Sequence, residues 1–517
     1  MRTDWIWIAL IGLLVQALWG MGMEYPSYMD AYYYATNGQR LADGFGFTEE
    51  VIWQYLDNPE GLPTPSHTYW MPMPSILAAV GYQFGDSFRA AQLPFWLLAG
   101  LLPLLTFVIS RQFTQARWQI WMACLLTASG GYYSRFFNQP TTFAPFAWFG
   151  GLCLLFLAWG HVRGHWKWWL LAGLTAGLAH LTRADGVLLL LVGVWVWLFA
   201  LRDGRRQGLG WGTPLGWLLL LVAGYAVVMG GWFWRNMQVM GRPLSAAGTQ
   251  TIFLTNYNDL FAYGRTFDLV HYLDWGWMNI VQSKLFGLNI ATQTFIAVSG
   301  FIFLFPFLLG AWIKWGREAA RWPLLRPMTW YAVGLFLAMS LVFTLPGWRG
   351  GLLHSSAALW AWFMTLVAGG VDLAVDWVAA RRSHWQPARA KRMFAAMFLV
   401  VAFLVSWATL RSEENLEAEV YEVWGEMLPE TAVVMSGNAP GFYYHTGRPS
   451  ISVPNEPLAG MLQAAQRYSA AYMVLDENRP PPLAPLYDGE ITDPAVELIK
   501  SWDHFQLYRF HWVGEQP

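Results

Sequence analysis

Long apolar runs dominate the chain. A helix that crosses a bilayer needs about 20 mostly apolar residues. About eleven stretches meet that length, near residues 5–22, 89–110, 119–135, 142–160, 167–182, 186–201, 214–233, 291–313, 328–346, 355–378 and 393–410. The segment "MPSILAAVGYQFG" is too short to span and predicts a helix lying at the membrane interface. After residue 410 the pattern changes. "RSEENLEAEVYEVWGEMLPE" predicts an amphipathic polar helix, and the short runs "TAVVMS", "SISV", "AYMVLD" and "FQLYRFHW" predict strands, separated by Gly, Pro and Asn turns. "LAGMLQAAQRYS" predicts one more helix. The expected architecture is a mainly α, polytopic membrane domain over residues 1–410, followed by a small extracytoplasmic α/β domain over 411–517.

The polar segments between the runs alternate in charge. "RQFTQAR", "HVRGHWK", "LRDGRRQ", "KWGREAARWPLLR" and "ARRSHWQPARAKR" cluster Lys and Arg, whereas 23–88, 136–141, 183–185, 234–290 and 347–354 carry few for their length. By the positive-inside rule the basic set is cytoplasmic, the N-terminus lies inside and the long loops face out. An odd number of spans places the C-terminal domain outside as well.

Composition supports a lipid environment. The chain is 56% hydrophobic and 13% charged, with a mean hydropathy of +0.31, 34 Trp and 33 Phe; a soluble domain carries about 25% charged residues. The net charge of -1 argues against a nucleic-acid partner. Cys124 and Cys153 both lie in apolar runs, where inert buried thiols are expected. Arg2 followed by an apolar segment resembles a signal peptide, but no small-residue cleavage site follows, so an uncleaved first helix is expected. No N-x-[ST] sequon occurs, a hint of a bacterial host, and the plasma membrane is the expected location.

The first apolar run opens at once into "MEYPSYMDAYYYATNGQRLADGFGF", residues 23–47. Of the acids in this loop, Glu24, Asp43, Glu49, Glu50, Asp57 and Glu60 read as solvated loop charges. Asp30 differs, because Tyr28, Tyr32, Tyr33 and Tyr34 flank it close to a helix end. A carboxylate among aromatics is partly desolvated and can act as a base or orient a hydroxyl; the plainer role is an N-cap for a helix starting at Ala31. "PSHTYWMPMPS" closes the loop. Its Tyr69 and Trp70 offer flat faces that suit sugar rings or the headgroup belt. His67 is a candidate ligand or base, although a hydrogen-bonded structural histidine is the commoner role.

Three outward arginines stand apart in loops otherwise poor in cations. Arg183 lies in "LAHLTRADG" with Asp185, Arg235 in "GWFWRNMQVMGRP", and Arg349 in "LPGWRGGLLHSS" beside His354. Together they suggest a phosphate site; singly each reads as an interface anchor or, for Arg183, a local pair with Asp185. No metal spacing, Gly-rich phosphate loop or Ser-His-Asp order occurs. Gly173 and Gly177 form a small-xxx-small pair, a helix-packing feature.

In this order the motifs resemble the GT-C-fold membrane glycosyltransferases, in the branch containing protein O-mannosyltransferases and lipid A aminoarabinose transferases. "MDAYYYATNGQRLADGFGF" is similar to the family's "D-x-x-Y-Y"-like context at the start of its large outward loop, "YWMPMPSILAAVGYQFGDSFRAAQ" to the stretch that ends the loop, "AGLAHLTRADG" to its "GL-a-x-L-T-[KR]" turn, and "WFWRNMQVMGRPLS" to its "R-N-x-x-x-x-G-x-P" stretch. The resemblance covers roughly residues 1–380. It implies that Asp30 is the catalytic carboxylate and that Arg183, Arg235 and Arg349 hold a lipid phosphate, with Tyr33, Tyr34, His67, Tyr69, Trp70, Asp185 and His354 lining the substrate. The implied activity is transfer of a hexose or pentose, with inversion, from a polyprenyl-phosphate-linked donor to a glycan, lipid or protein acceptor at the cell envelope; a divalent metal is left open. One departure is clear. Many members carry a second acid between the third and fourth helices, where this chain reads "FFNQPTTF". The competing readings are a lipid-linked sugar transporter or flippase, and an inactive GT-C scaffold.

Overall fold

The protein was analysed as a computed structural model, which describes residues 3–382, 384–410 and 416–512. Helices occupy all of the predicted apolar stretches. Among the described residues, seven are long and apolar enough to cross a membrane: Phe88–Ser110, Phe143–Arg163, Ala184–Arg206, Gly212–Met240, Trp322–Val342, Thr344–Ala379 and Pro387–Ala408. Asp4–Gly20 and Trp166–Thr182 have 17 residues each and Arg117–Ser129 has 13. At 1.5 Å per residue they rise about 20–26 Å, short of the roughly 30 Å hydrocarbon core.

The predicted span at 291–313 is not one helix. The chain runs as a helix from Trp277 to Gly300, turns, and resumes from Phe305 to Gly316 at 88° to the first. Phe301 and Ile302 make the turn at φ of 51° and 66°, which no continuous right-handed helix allows. The outward segment predicted over 234–290 is correspondingly shorter, because the Gly212–Met240 helix continues past its expected end and the Trp277–Gly300 helix begins early. The Trp166–Thr182 and Gly212–Met240 helices make the most intimate pair. A Cβ at Gly173 would meet the Leu221 carbonyl oxygen at 2.0 Å, and one at Gly177 would meet Val228 Cβ at 2.7 Å. Without an apolar driving force in lipid, such backbone approach supplies the packing contacts that hold two helices together.

Outside the bundle, the first loop folds into the helices Met29–Ala42 and Met73–Tyr82 and three short strands, β1 (Thr48–Glu49), β2 (Val51–Ile52) and β3 (Thr64–Pro65). The C-terminal region supplies β4 (Val433–Ser436), β5 (Ser450–Ser452), β6 (Ala470–Leu475), β7 (Val496–Trp502) and β8 (Phe505–Phe510). Their sheet has the order β2-β5-β4-β6-β8-β7, so the first loop contributes an edge strand, pairing Val51 and Ile52 in parallel with Ser450 and Ile451. Side chains reinforce the join. Arg40 Nη1 donates to Tyr443 Oη at 3.3 Å, Tyr468 Oη donates to the Pro59 carbonyl at 2.9 Å, and Tyr55 Oη donates to the Ser452 carbonyl. Arg265, in the second outer loop, bridges Asp259 at 3.1 Å and Glu456 at 2.7 Å. The C-terminal region therefore braces both outer loops over the ends of the helices.

Candidate active site

A cavity of about 590 Å³ lies where these loops meet the helix ends. Its wall draws on the Met29–Ala42 helix, the 68–71 stretch, the 180–188 turn, the second outer loop and the 338–354 segment. Eight of the residues singled out from sequence line it: Asp30, Tyr34, Tyr69, Trp70, Arg183, Asp185, Arg349 and His354. Tyr33, His67 and Arg235 do not.

Asp30 is the second residue of its helix. Tyr28, extended at φ -170°, occupies the N-cap position, and its side chain makes no capping bond. A carboxylate in the first turn faces the positive end of the helix dipole. Among the described residues, Asp30 forms no ion pair and no hydrogen bond to another side chain; its recorded backbone bond is to its own amide. Burial among the aromatics pushes its pKa up to about 6, against the pull of the Arg183 charge. A carboxylate so placed is mostly ionised at neutral pH yet basic enough to accept a proton. Beside it, the Tyr28 hydroxyl is buried and has no hydrogen-bond partner.

The two cavity arginines are differently placed. Arg183 is committed within the protein. Its Nε donates to Asp185 Oδ1 and to Ser355 Oγ, both at 3.0 Å; Nη2 donates to Asp185 Oδ2 at 3.3 Å, and Nη1 to Thr142 Oγ1 at 3.4 Å. Ser355 in turn donates to Asp185. Both partners are largely buried, the side chains being 17% and 13% exposed, so the pair neutralises itself in place. Arg349 has no acid partner among the described residues. Its guanidinium lies 4.5 Å from the Tyr257 ring and 5.4 Å from the Trp348 ring. Stacking of this kind holds a guanidinium while leaving its N–H edge free. Arg349 therefore brings an uncompensated positive charge to the cavity.

The aromatic wall is built of rings in mutual contact. Trp53 and Trp70 stack at 3.9 Å and 5°, and Tyr33 packs edge-on against Trp70 at 4.7 Å. Behind that wall sit the predicted residues that miss the cavity. His67 Nε2 bonds Ser75 Oγ at 2.9 Å and Nδ1 bonds Ser66 Oγ at 2.8 Å. Ser75 gives its own proton to the Tyr34 carbonyl, so it accepts from Nε2–H, and Ser66 donates to Nδ1. Burial, helped by the nearby Arg235 charge, drives the His67 pKa down to about 3, which holds the ring neutral. Arg235 spends Nη2 on the Phe47 and Ser66 carbonyls at 3.1 and 2.9 Å, clamping the two sides of the β1–β3 pair.

Two of the loop acids are not solvated as the sequence suggested. Glu49 is 5% exposed and bonds Tyr33 and Asn37; burial pushes its pKa up to about 8. Asp57 accepts from Ser245 Oγ and from the Ala247 amide, fastening the first outer loop to the second. Both partnerships join residues that the sequence pattern gives no reason to pair. Thr142, in the loop that lacks the expected acid, also lines the cavity. Among the described residues, no group of three or more His, Cys, Asp or Glu side chains is arranged to hold a metal ion.

Comparison with known proteins adds the following. The family model described as dolichyl-phosphate-mannose-protein mannosyltransferase matches residues 66–234. No curated protein sequence matches the chain. Among solved structures, the oligosaccharyltransferase of Archaeoglobus fulgidus, in complex with Zn and sulfate, is similar with a TM-score of 0.59 at 13% identity, over 91% of this chain and 68% of that one. ArnT from Cupriavidus metallidurans, bound to undecaprenyl phosphate, gives a TM-score of 0.55 at 14% identity and covers 98% of both chains. AglB from Archaeoglobus fulgidus, in complex with an inhibitory peptide and a dolichol-phosphate, gives 0.52 at 12% identity, over 92% of this chain and 69% of that one.

Proposed function

From the premise that this chain has the GT-C fold of membrane glycosyltransferases, we propose that it transfers a sugar from a polyprenyl-phosphate-linked donor to an acceptor on the extracytoplasmic face of the membrane. The observation that carries this reading is the pairing of opposites in one cavity. Among the described residues, a carboxylate without an ion-pair partner, Asp30, and a guanidinium without an acid partner, Arg349, both line a space where the long loops meet the helix ends. That two of the similar structures hold lipid phosphates, undecaprenyl phosphate in one and dolichol-phosphate in the other, supports the choice of donor.

In the proposed reaction the donor phosphate lies against Arg349, and the sugar against Tyr69 and Trp70. An acceptor hydroxyl or amine attacks the anomeric carbon from the side of Asp30. The bond from acceptor to C1 forms as the bond from C1 to the phosphate oxygen breaks, which inverts the anomeric centre. The acceptor proton passes to Asp30, and the electron pair leaves with the phosphate, where Arg349 meets the added negative charge. Arg183, fastened to Asp185, lines the same cavity, and its charge favours the ionised form of Asp30. We place the C-terminal domain, residues 411–517 by the sequence reading, on the extracytoplasmic side, where with the first loop it would frame the path of the acceptor. The lysine and arginine distribution supports an N-terminus inside, and a bacterial plasma membrane is the proposed setting.

The test is transfer itself. Purified protein is incubated with a panel of polyprenyl-phosphate sugars and acceptors, and release or transfer of the sugar is followed. Activity with at least one donor, lowered about 10²–10⁴-fold in Asp30→Asn, is the expected result. Absence of both hydrolysis and transfer across hexose and pentose donors would refute the proposal.

A further inference from the structure

The transferase reading leaves one cavity residue without a task. His354 follows the Gly350–Gly351 turn and is held from two sides. Its ring lies on Phe143 at 4.0 Å between centroids, with 28° between the planes. Its Nδ1 bonds Thr142 Oγ1 at 2.9 Å. Thr142 Oγ1 also receives Arg183 Nη1, and arginine can only donate. The threonine hydroxyl proton has no other acceptor among the described residues, and giving it to Nδ1 is the arrangement that satisfies it. That leaves the ring proton on Nε2. Nothing among the described residues bonds Nε2, and His354 faces the cavity.

Gly350 keeps that edge of the ring open. Its φ is 132°, a region that side-chain-bearing residues avoid, and a Cβ there would stand 3.6 Å from Nε2 and 3.4 Å from Cδ2. The same short segment carries Arg349. An N–H donor and a guanidinium without an acid partner among the described residues thus come from successive short helical segments, Gly347–Gly351 and Leu352–Ser356, and both line the cavity assigned to the phosphate.

We infer that His354 donates its Nε2–H to the phosphate oxygen that leaves C1, with Thr142 as the positioning residue that sets the tautomer. The assignment rests on the transferase reading. The leaving oxygen gains a negative charge as the C1–O bond breaks, and a donor fixed beforehand stabilises that charge without reorganising. No proton is transferred at His354: the acceptor's proton is on Asp30, and the ring stays neutral throughout.

The test uses the full-length protein in nanodiscs. His354→Phe keeps the ring and its stack on Phe143 but removes Nε2–H. With a polyprenyl-monophosphate sugar, kcat should fall about ten- to a hundredfold, while donor KM moves less than about threefold. With a polyprenyl-diphosphate sugar that the wild type also uses, the loss should shrink, because a diphosphate leaves with less help; a purely structural defect would cost both donors alike. Thr142→Val should lower kcat in the same direction, and Thr142→Ser, which keeps the hydroxyl, should restore most of the loss. A separate arm measures binding of polyprenyl monophosphate alone, which should weaken by about tenfold in His354→Phe with no change in melting temperature. If the wild type transfers from no lipid donor but His354→Phe still weakens monophosphate binding, the transferase reading fails and the phosphate contact survives. If His354→Phe binds the monophosphate and turns over as the wild type does, or if both donors suffer equally, the assignment of His354 is overturned.

Discussion

The contrast between Arg349 and Arg183 makes the sharpest prediction, because the two arginines line the same cavity and should fail in different ways. In Arg349→Ala a guanidinium with no acid partner is removed, so no buried charge is left behind. Its stacking on Tyr257 at 4.5 Å exists with or without ligand and largely cancels from a binding measurement. What remains is one charge-assisted hydrogen bond to phosphate, about 1.5–3 kcal/mol, or roughly a ten- to hundredfold loss of affinity. Arg183→Ala instead strips the partner from Asp185, whose side chain is 13% exposed. Breaking a buried pair from one side costs about 3–5 kcal/mol; because this pair borders a cavity, the lower end of that range is expected. Arg183→Ala should therefore show mainly as lost thermal stability, and Asp185→Asn should lose less because Ser355 and Thr142 still receive the guanidinium. Lipid-phosphate affinity by fluorescence titration and melting temperature by nanoscale differential scanning fluorimetry separate the two. An Arg349→Ala variant with wild-type affinity, or an Arg183→Ala variant that melts with the wild type while losing all affinity, would refute the reasoning.

Asp30→Asn should lower turnover by about 10²–10⁴-fold, with stability changing by no more than about 1 kcal/mol, the worth of a charge at a helix N-terminus. Because burial raises the Asp30 pKa to about 6 and the base acts ionised, kcat/KM should climb with pH through about 6 and level off above it; a profile without that limb would remove Asp30 from the role. Gly173→Val should disrupt helix packing, since its Cβ would lie 2.0 Å from the Leu221 carbonyl oxygen, and size-exclusion chromatography in detergent should show loss of the monodisperse peak. For topology, a cysteine introduced at position 205 should resist an impermeant thiol reagent applied from outside and one in the 458–467 helix should react; the reverse labelling would place the cavity on the wrong side of the membrane.

Local pattern carried much of this protein. Apolar runs long enough to satisfy their own backbone in lipid have little choice but to be helices, so helices stand at the runs read from sequence; their lengths differ, with seven among the described residues long and apolar enough to cross a membrane and the 291–313 run broken by an 88° bend. Asp30 was legible because a carboxylate among tyrosines at the end of an apolar run is out of place, and the 183–185 turn because charges at a membrane rim are costly. Tertiary structure alone decided how those charges are used. The sequence presents Arg183, Arg235 and Arg349 as three isolated cations, only Arg183 having an acid close by in the chain. Folding brings Ser355 and Thr142 to Arg183, which with Asp185 already two residues away commits it, and the Phe47 and Ser66 carbonyls to Arg235, leaving Arg349 on an aromatic ring. The same holds for Glu49, buried only because Tyr33 and Asn37 close over it, and for Val51 and Ile52, which join a sheet formed 400 residues later in the chain (about that separation). Hydropathy and propensity act over a few residues; a charge is neutralised, or left free to act, by whichever groups the fold brings within about 4 Å.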